Sequence, residues 1–238
     1  TLILSCVHLV LFLWFLLGYS FVGKNKNSVE RRLDFLKFNG DLLVISALFV
    51  IAGAIMSGIT VGLFSVIGLN IEKFYFQYIA VFGVAAIPVV GTYLIQRNPR
   101  LVGRISPVIA RIFSPLVLVM LIIYLAAMAY AGKDPYNDRE FLLVFNALLI
   151  GVMVILFFSV ADTVRSGRSR TEIWVLLLLS VVTIIVNGIA VSAILFRISE
   201  WGFTPNRTAV LGTNILILIH LLLCAFQLAK VLSNKKEL

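Results

Sequence analysis

The residues of this chain that could do chemistry are few, and they sit in apolar surroundings: His8, Asn146, Asn187, Asn214 and His220 inside hydrophobic runs, with Arg207 just ahead of the last one. Polar groups so placed either join helices by hydrogen bonds or line a ligand or proton path, because facing hydrocarbon is costly for them. Thr213, His220 and Gln227 recur at intervals of seven, near one helical face, with Asn214 adjacent. Such a stripe is expected to meet another helix or water. Arg207 ends the segment Trp201-Gly202-Phe203-Thr204-Pro205-Asn206-Arg207, in which Thr204 suits a helix N-cap and Pro205 the first helical turn. A cation there opposes the helix dipole. An acidic partner is therefore expected from Glu200, Glu72, Asp134, Asp138 or Glu140; the alternative is that Arg207 and the free helix amides hold an anion such as phosphate or carboxylate.

The elements that position these residues are seven apolar runs, Leu2–Val22, Leu42–Leu69, Phe74–Ile95, Pro107–Ala131, Phe141–Ala161, Ile173–Ile198 and Ala209–Leu232. Each is long enough to cross a hydrocarbon core about 30 Å thick. Apolar residues make up 61% of the chain and charged residues 13%, about half the charged fraction of a water-soluble domain. Stretches such as Leu116–Tyr124 and Leu148–Phe158 are apolar on every side, which excludes the alternation of barrel strands and leaves helices. The expected fold is all-α, a polytopic membrane helical bundle of about seven transmembrane helices.

Basic residues set the orientation. Lys24, Lys26, Arg31, Arg32 and Lys37, then Arg97, Arg100, Arg104 and Arg111, then Arg165, Arg168 and Arg170, then Lys230, Lys235 and Lys236 fall on one side, against Lys73, Lys133, Arg139, Arg197 and Arg207 on the other. Fifteen against five places the first set in the cytoplasm, the amino end outside and the carboxyl end inside. The net charge of +9 then reads as an orientation signal and as contact with anionic membrane lipids, while the aromatic residues fall mostly within spans, which speaks against nucleic-acid binding. The first run has no basic leader and no Ala-x-Ala-like site after it, so a cleaved signal peptide is not expected. Residues 1–238 read as one helical transmembrane domain, with scope for a helix or domain ahead of Thr1.

Local signals add detail. Gly58, Gly62 and Ser65 give the second run a small-residue face suited to close helix packing, with a mobile hinge as the alternative. Ser106-Pro107 and Ser114-Pro115 suggest an interfacial turn followed by a crossing that starts at Pro115; the alternative is a broken helix opening a cavity. In the hydrophilic stretch Gly23–Asp41, Val29, Leu33, Leu36, Phe35 and Phe38 suit a short surface helix beside the bilayer. Cys6 and Cys224, both within spans, read as packing residues.

No metal site or cofactor is expected: the two histidines lack any ligand-spaced companion, and no glycine-rich phosphate loop is present. Ser5, Ser57, Ser159 and Ser192 lack an activating triad, and Asp162 with Arg165, Arg168 and Arg170 reads as a charged loop beside lipid, so no catalytic residues are assigned. No carboxylate lies deep in a span, and Lys230 is too near the end of the last one to serve as a central Schiff-base lysine.

The run Trp201–Leu211, WGFTPNRTAVL, with Gly212–His220, GTNILILIH, resembles the bacterial DUF4153 family of multi-span membrane proteins. The likeness is fullest over the last third of the chain and looser from Leu2 to Ala161; Pro205, Asn206 and Arg207 match its motif. It implies a multi-pass protein of the bacterial cytoplasmic membrane with no known enzyme reaction, and it gives those three residues no chemical role. Two function classes follow. One is a non-enzymatic scaffold or assembly component, working with a membrane-protein partner or as a homo-oligomer. The other is a transporter of a small or anionic solute whose candidate site is Arg207, Thr213, Asn214, His220 and Gln227. A path from Arg207 to His220 separates the second from the first.

Overall fold

The computed structural model describes residues 2–23, 28–97, 105–132, 136, 139–166 and 169–233. Lys24, Lys26, Arg100, Arg104, Lys133, Asp134, Asp138, Arg168, Lys235 and Lys236 lie outside the described residues, as do the side chains of Ser106, Pro107, Arg139, Asp162 and Arg165.

Every regular element among the described residues is a helix: α1 (Leu2–Val22), α2 (Val29–Val66), α3 (Glu72–Phe74), a π-helical segment (Tyr75–Ala80), α4 (Val81–Arg97), α5 (Ile105–Ala131), α6 (Arg139–Ser166), α7 (Arg170–Trp201) and α8 (Pro205–Ser233). Residues 72 to 97 run on as one span, which makes seven helices long and apolar enough to cross a membrane. Large apolar side chains stand exposed along them, among them Phe82, Leu216 and Phe226. Water would not tolerate so much contiguous apolar surface, and the chain is an integral membrane protein.

By its internal contacts the chain divides into two compact units, residues 1–50 with 85–103, and residues 51–84 with 104–238. In the first, Phe35 of α2 is buried against Gly18 of α1, where a Cβ would come within 2.9 Å of the Phe35 ring. Trp14 and Phe21 flank the same ring, and Trp14 Nε1 donates to Asn39 Oδ1 at 2.9 Å. Gly91 of α4 sits equally close to Leu42 of α2. These contacts correct the reading of a surface helix that stops before the span: α2 runs without a break through Gly40. A single glycine costs a helix about 1 kcal/mol, and Gly40 is carried inside α2 one residue after the Asn39 that Trp14 bonds.

The second unit is built on α5 to α8, with α5 packed on α6 and α7, α6 on α7 and α8, and α7 on α8. Its core includes Leu63, Leu121, Tyr124, Phe145, Leu149, Leu179 and Leu221, each fully or almost fully buried. Lipid is as apolar as this core, so packing density rather than escape from water holds it together. Gly62 faces Val144 of α6 at ordinary contact distance, as a small-residue face implies, whereas Gly58 is open on its far side. Helix α2 ends in a Schellman turn, with Gly68 at φ +81° and the Leu69 amide donating to the Phe64 carbonyl at 2.9 Å.

Neither reading of the two Ser-Pro pairs survives. Helix α5 starts at Ile105 and passes through Pro115 without interruption. One residue earlier the Ser114 hydroxyl donates to the Ala110 carbonyl at 2.5 Å, the turn-back bond by which a serine inside a helix satisfies its own hydroxyl.

Candidate functional site

Where α7 turns into α8 the chain closes its hydrogen bonds locally. Gly202, at φ +73°, returns its amide to the Ile198 carbonyl at 2.9 Å and ends α7. Thr204 then caps α8, its hydroxyl accepting from the Arg207 amide at 3.3 Å, with Pro205 in the first turn as the sequence implied. Among the described residues Arg207 has no acidic partner, while Asp134 and Asp138, two of the expected ones, lie outside them. Its Nη1 donates to the carbonyls of Trp201 and Gly202, both at 2.8 Å, and its guanidinium carbon lies 5.8 Å from the Trp201 ring centre. The cation that opposes the dipole of α8 thus neutralises the carbonyl end of α7.

Arg197, one turn before Trp201, lies over the same indole at 5.6 Å. One ring therefore orients two guanidinium groups, each such contact contributing on the order of 0.5–1 kcal/mol at an exposed site. Both arginines line an open cleft of about 570 Å³. Its α6 wall is Leu142, Leu143 and Asn146, its α7 wall Ile194 and Arg197, and its α8 wall Thr204, Asn206, Arg207 and Val210. Among the described residues no carboxylate is in that lining. The two Nη1 protons of Arg207 are engaged by carbonyls, which leaves its Nε–H and Nη2–H edge, a fork that matches carboxylate and phosphate. Arg197 has no hydrogen-bond or ion-pair partner among the described residues, and its contact with Trp201 leaves its N–H groups available.

An amide cluster begins at the cleft wall with Asn146 and runs inward to the buried Asn214 and Asn187. Asn214 donates to Asn146 Oδ1 at 2.8 Å and to the Val210 carbonyl at 2.9 Å, while Asn187 donates to the Asn214 backbone carbonyl at 3.2 Å. Asn187 and Asn214 are fully buried, and the Oδ1 atom of each has no partner among the described residues. This cluster ties α6, α7 and α8 together.

The rest of the proposed stripe goes elsewhere. The packed face of α8 is Asn214, Ile217, Leu221, Cys224, Leu228 and Leu232. Thr213 and Gln227, about 100° around the helix from that face, are exposed, and Thr213 bonds back to the Ala209 carbonyl at 2.9 Å. The stripe does not face a helix of its unit. His220 is partly buried with Nε2 3.3 Å from Cys224 Sγ, and it does not line the cleft. His8 is exposed on α1 beside its own Leu4 carbonyl. Cys6 is exposed, unlike Cys224.

Arg197 is the site residue the sequence reading missed, having been counted only as a loop charge. The signal was present as arginines on both sides of the Trp201–Asn206 turn. Elsewhere, Arg111 pairs with Glu172 at 2.7 Å where Ser169 caps α7.

The fold and cleft define a class: a polytopic helical membrane protein with a two-arginine recess at one end of its last three spans. No family model, no curated protein and no solved structure matches the chain.

Proposed function

We propose that this protein is a carrier that takes up a small anionic solute through the cleft at the α7–α8 corner. The single observation behind this reading is two guanidinium groups held on one tryptophan in a cleft with no carboxylate among the described residues of its lining. Like charges gathered with no counter-ion among the described residues favour an anion, and the free edge of Arg207 supplies bidentate geometry. The asparagine cluster starts at the cleft wall with Asn146 and ties it to the buried Asn214. With the orientation given by the basic residues, the recess opens on the non-cytoplasmic side, and the resemblance to DUF4153 points to a bacterial cytoplasmic membrane. No catalytic role is proposed for any residue.

A non-enzymatic scaffold is the second reading. The packing of Ile217, Leu221 and Leu228 below Asn214 favours it, because these buried residues lie where a path from Arg207 toward the far end of α8 would run.

Binding and uptake decide between the two. Purified protein is titrated with phosphate, sulfate and small carboxylates by calorimetry, and reconstituted vesicles are assayed for uptake of the same solutes. The carrier reading expects saturable binding and uptake, each reduced tenfold or more in Arg207→Gln. Uptake that is the same in folded Arg207→Gln and wild-type protein, or absent across the panel, overturns it.

A further inference from the structure

We propose, resting on the anion-binding reading above, that the group seated between Arg197 and Arg207 is the phosphate of an anionic membrane lipid whose chain lies along the outer face of α6. A cleft of about 570 Å³ is of the size that takes drug-sized ligands, and an inorganic anion would leave most of it unfilled. Four of its nine lining residues are aliphatic, Leu142, Leu143, Ile194 and Val210, which suits a ligand that is charged at one end only. Leu143 is 68% exposed, so this apolar wall continues outward onto the lipid-facing surface. From there Leu143, Ala147, Ile150 and Val154 form an exposed stripe at helical spacing. Eleven residues of helix rise about 16 Å, close to the depth of one leaflet of a core about 30 Å thick. Trp201 and Phe203, both exposed beside the cleft, belong at headgroup level. Arginines, aromatic residues and aliphatic stripe thus follow the order headgroup, interface, acyl chain.

Charge sets the headgroup class. A zwitterionic choline headgroup would bring its own cation toward two guanidinium groups, whereas phosphatidylglycerol or phosphatidic acid would not.

The test uses full-length protein carrying Trp14→Phe and Trp174→Phe, so that Trp201 is the remaining indole, in bilayers of unlabelled phosphatidylcholine. Brominated-chain phosphatidylglycerol or brominated-chain phosphatidylcholine is added at equal mole fraction and the quenching of Trp201 is recorded. About a tenfold lower half-quenching fraction is expected for the anionic lipid. The preference should vanish in Arg197→Gln/Arg207→Gln and persist in part in Arg197→Lys/Arg207→Lys, which keeps the charge. Equal quenching by the two lipids, or a preference that survives the glutamine pair, overturns the proposal. Inorganic phosphate and glycerol 1-phosphate form the second arm. If they shift Trp201 emission while the brominated lipids show no difference, the solute reading stands and the lipid assignment falls. If neither arm responds, both fall.

Discussion

Removing the hydroxyl of Tyr124 should stabilise this protein. Tyr124 is fully buried in α5, its ring meeting Phe64 and Phe145 edge-on with centroids 5.7 Å away in each case, and its hydroxyl has no hydrogen-bond partner among the described residues. A buried donor left unmade costs roughly 1–3 kcal/mol in a water-soluble protein. In a membrane the unfolded helices also find partners, and polar contacts there average about 0.6 kcal/mol, so the lower part of that range applies. Against it stands the void left by one oxygen, about 0.3 kcal/mol for roughly 12 Å³ at ~24 cal/mol per Å³. Phenylalanine retains the ring and its edge-to-face contacts. The lower part, about 1–2 kcal/mol, less about 0.3 for the void, gives an expected gain of about 0.7–1.7 kcal/mol for Tyr124→Phe, read from reversible unfolding in mixed bicelles at several mole fractions of denaturing detergent. A loss of 1 kcal/mol or more would refute the reasoning, since it would mean that the hydroxyl makes a bond.

Asn214→Leu removes the donor to Asn146 and should destabilise by about 0.6–1.7 kcal/mol, the mean and upper values measured for polar contacts between membrane helices; the same unfolding assay checks it, and no change would mean the amide cluster is idle. Gly91→Val places branched carbon where a Cβ already comes within 2.9 Å of Leu42, and a cost of about 1–3 kcal/mol from overpacking should appear as lower yield and a lower unfolding midpoint. Single cysteines placed at Lys26 and Asp138, in a background lacking Cys6 and Cys224, should react with impermeant reagents from opposite faces of the membrane. Labelling from the same face rejects the orientation.

The seven spans could be read directly because hydrocarbon demands long apolar runs, and the Thr204-Pro205 cap could be read because its chemistry is local. Other features left no comparable mark. The change from amphipathic to apolar sequence near Leu42 looked like an element boundary, yet it marks only a change of surroundings along the continuous helix α2. The rotational setting of α8 was misjudged by one residue: the seven-residue spacing is real, but it is Asn214, Leu221 and Leu228 that face inward, while Thr213 and Gln227 are exposed. In lipid the outer face of a helix is as apolar as the inner one, so hydrophobicity alone does not fix which side packs. The partner of Arg207 escaped notice for a different reason. It is a pair of backbone carbonyls, and carbonyls are the same in every residue.

The corner between α7 and α8 bears on biosynthesis. Its caps and the anchoring of Arg207 draw on residues 198 to 208 alone. Nothing from earlier in the chain is needed to complete it. The last two spans can accordingly leave the insertion machinery as a ready-made hairpin, its turn already satisfied before it docks against the helices that preceded it.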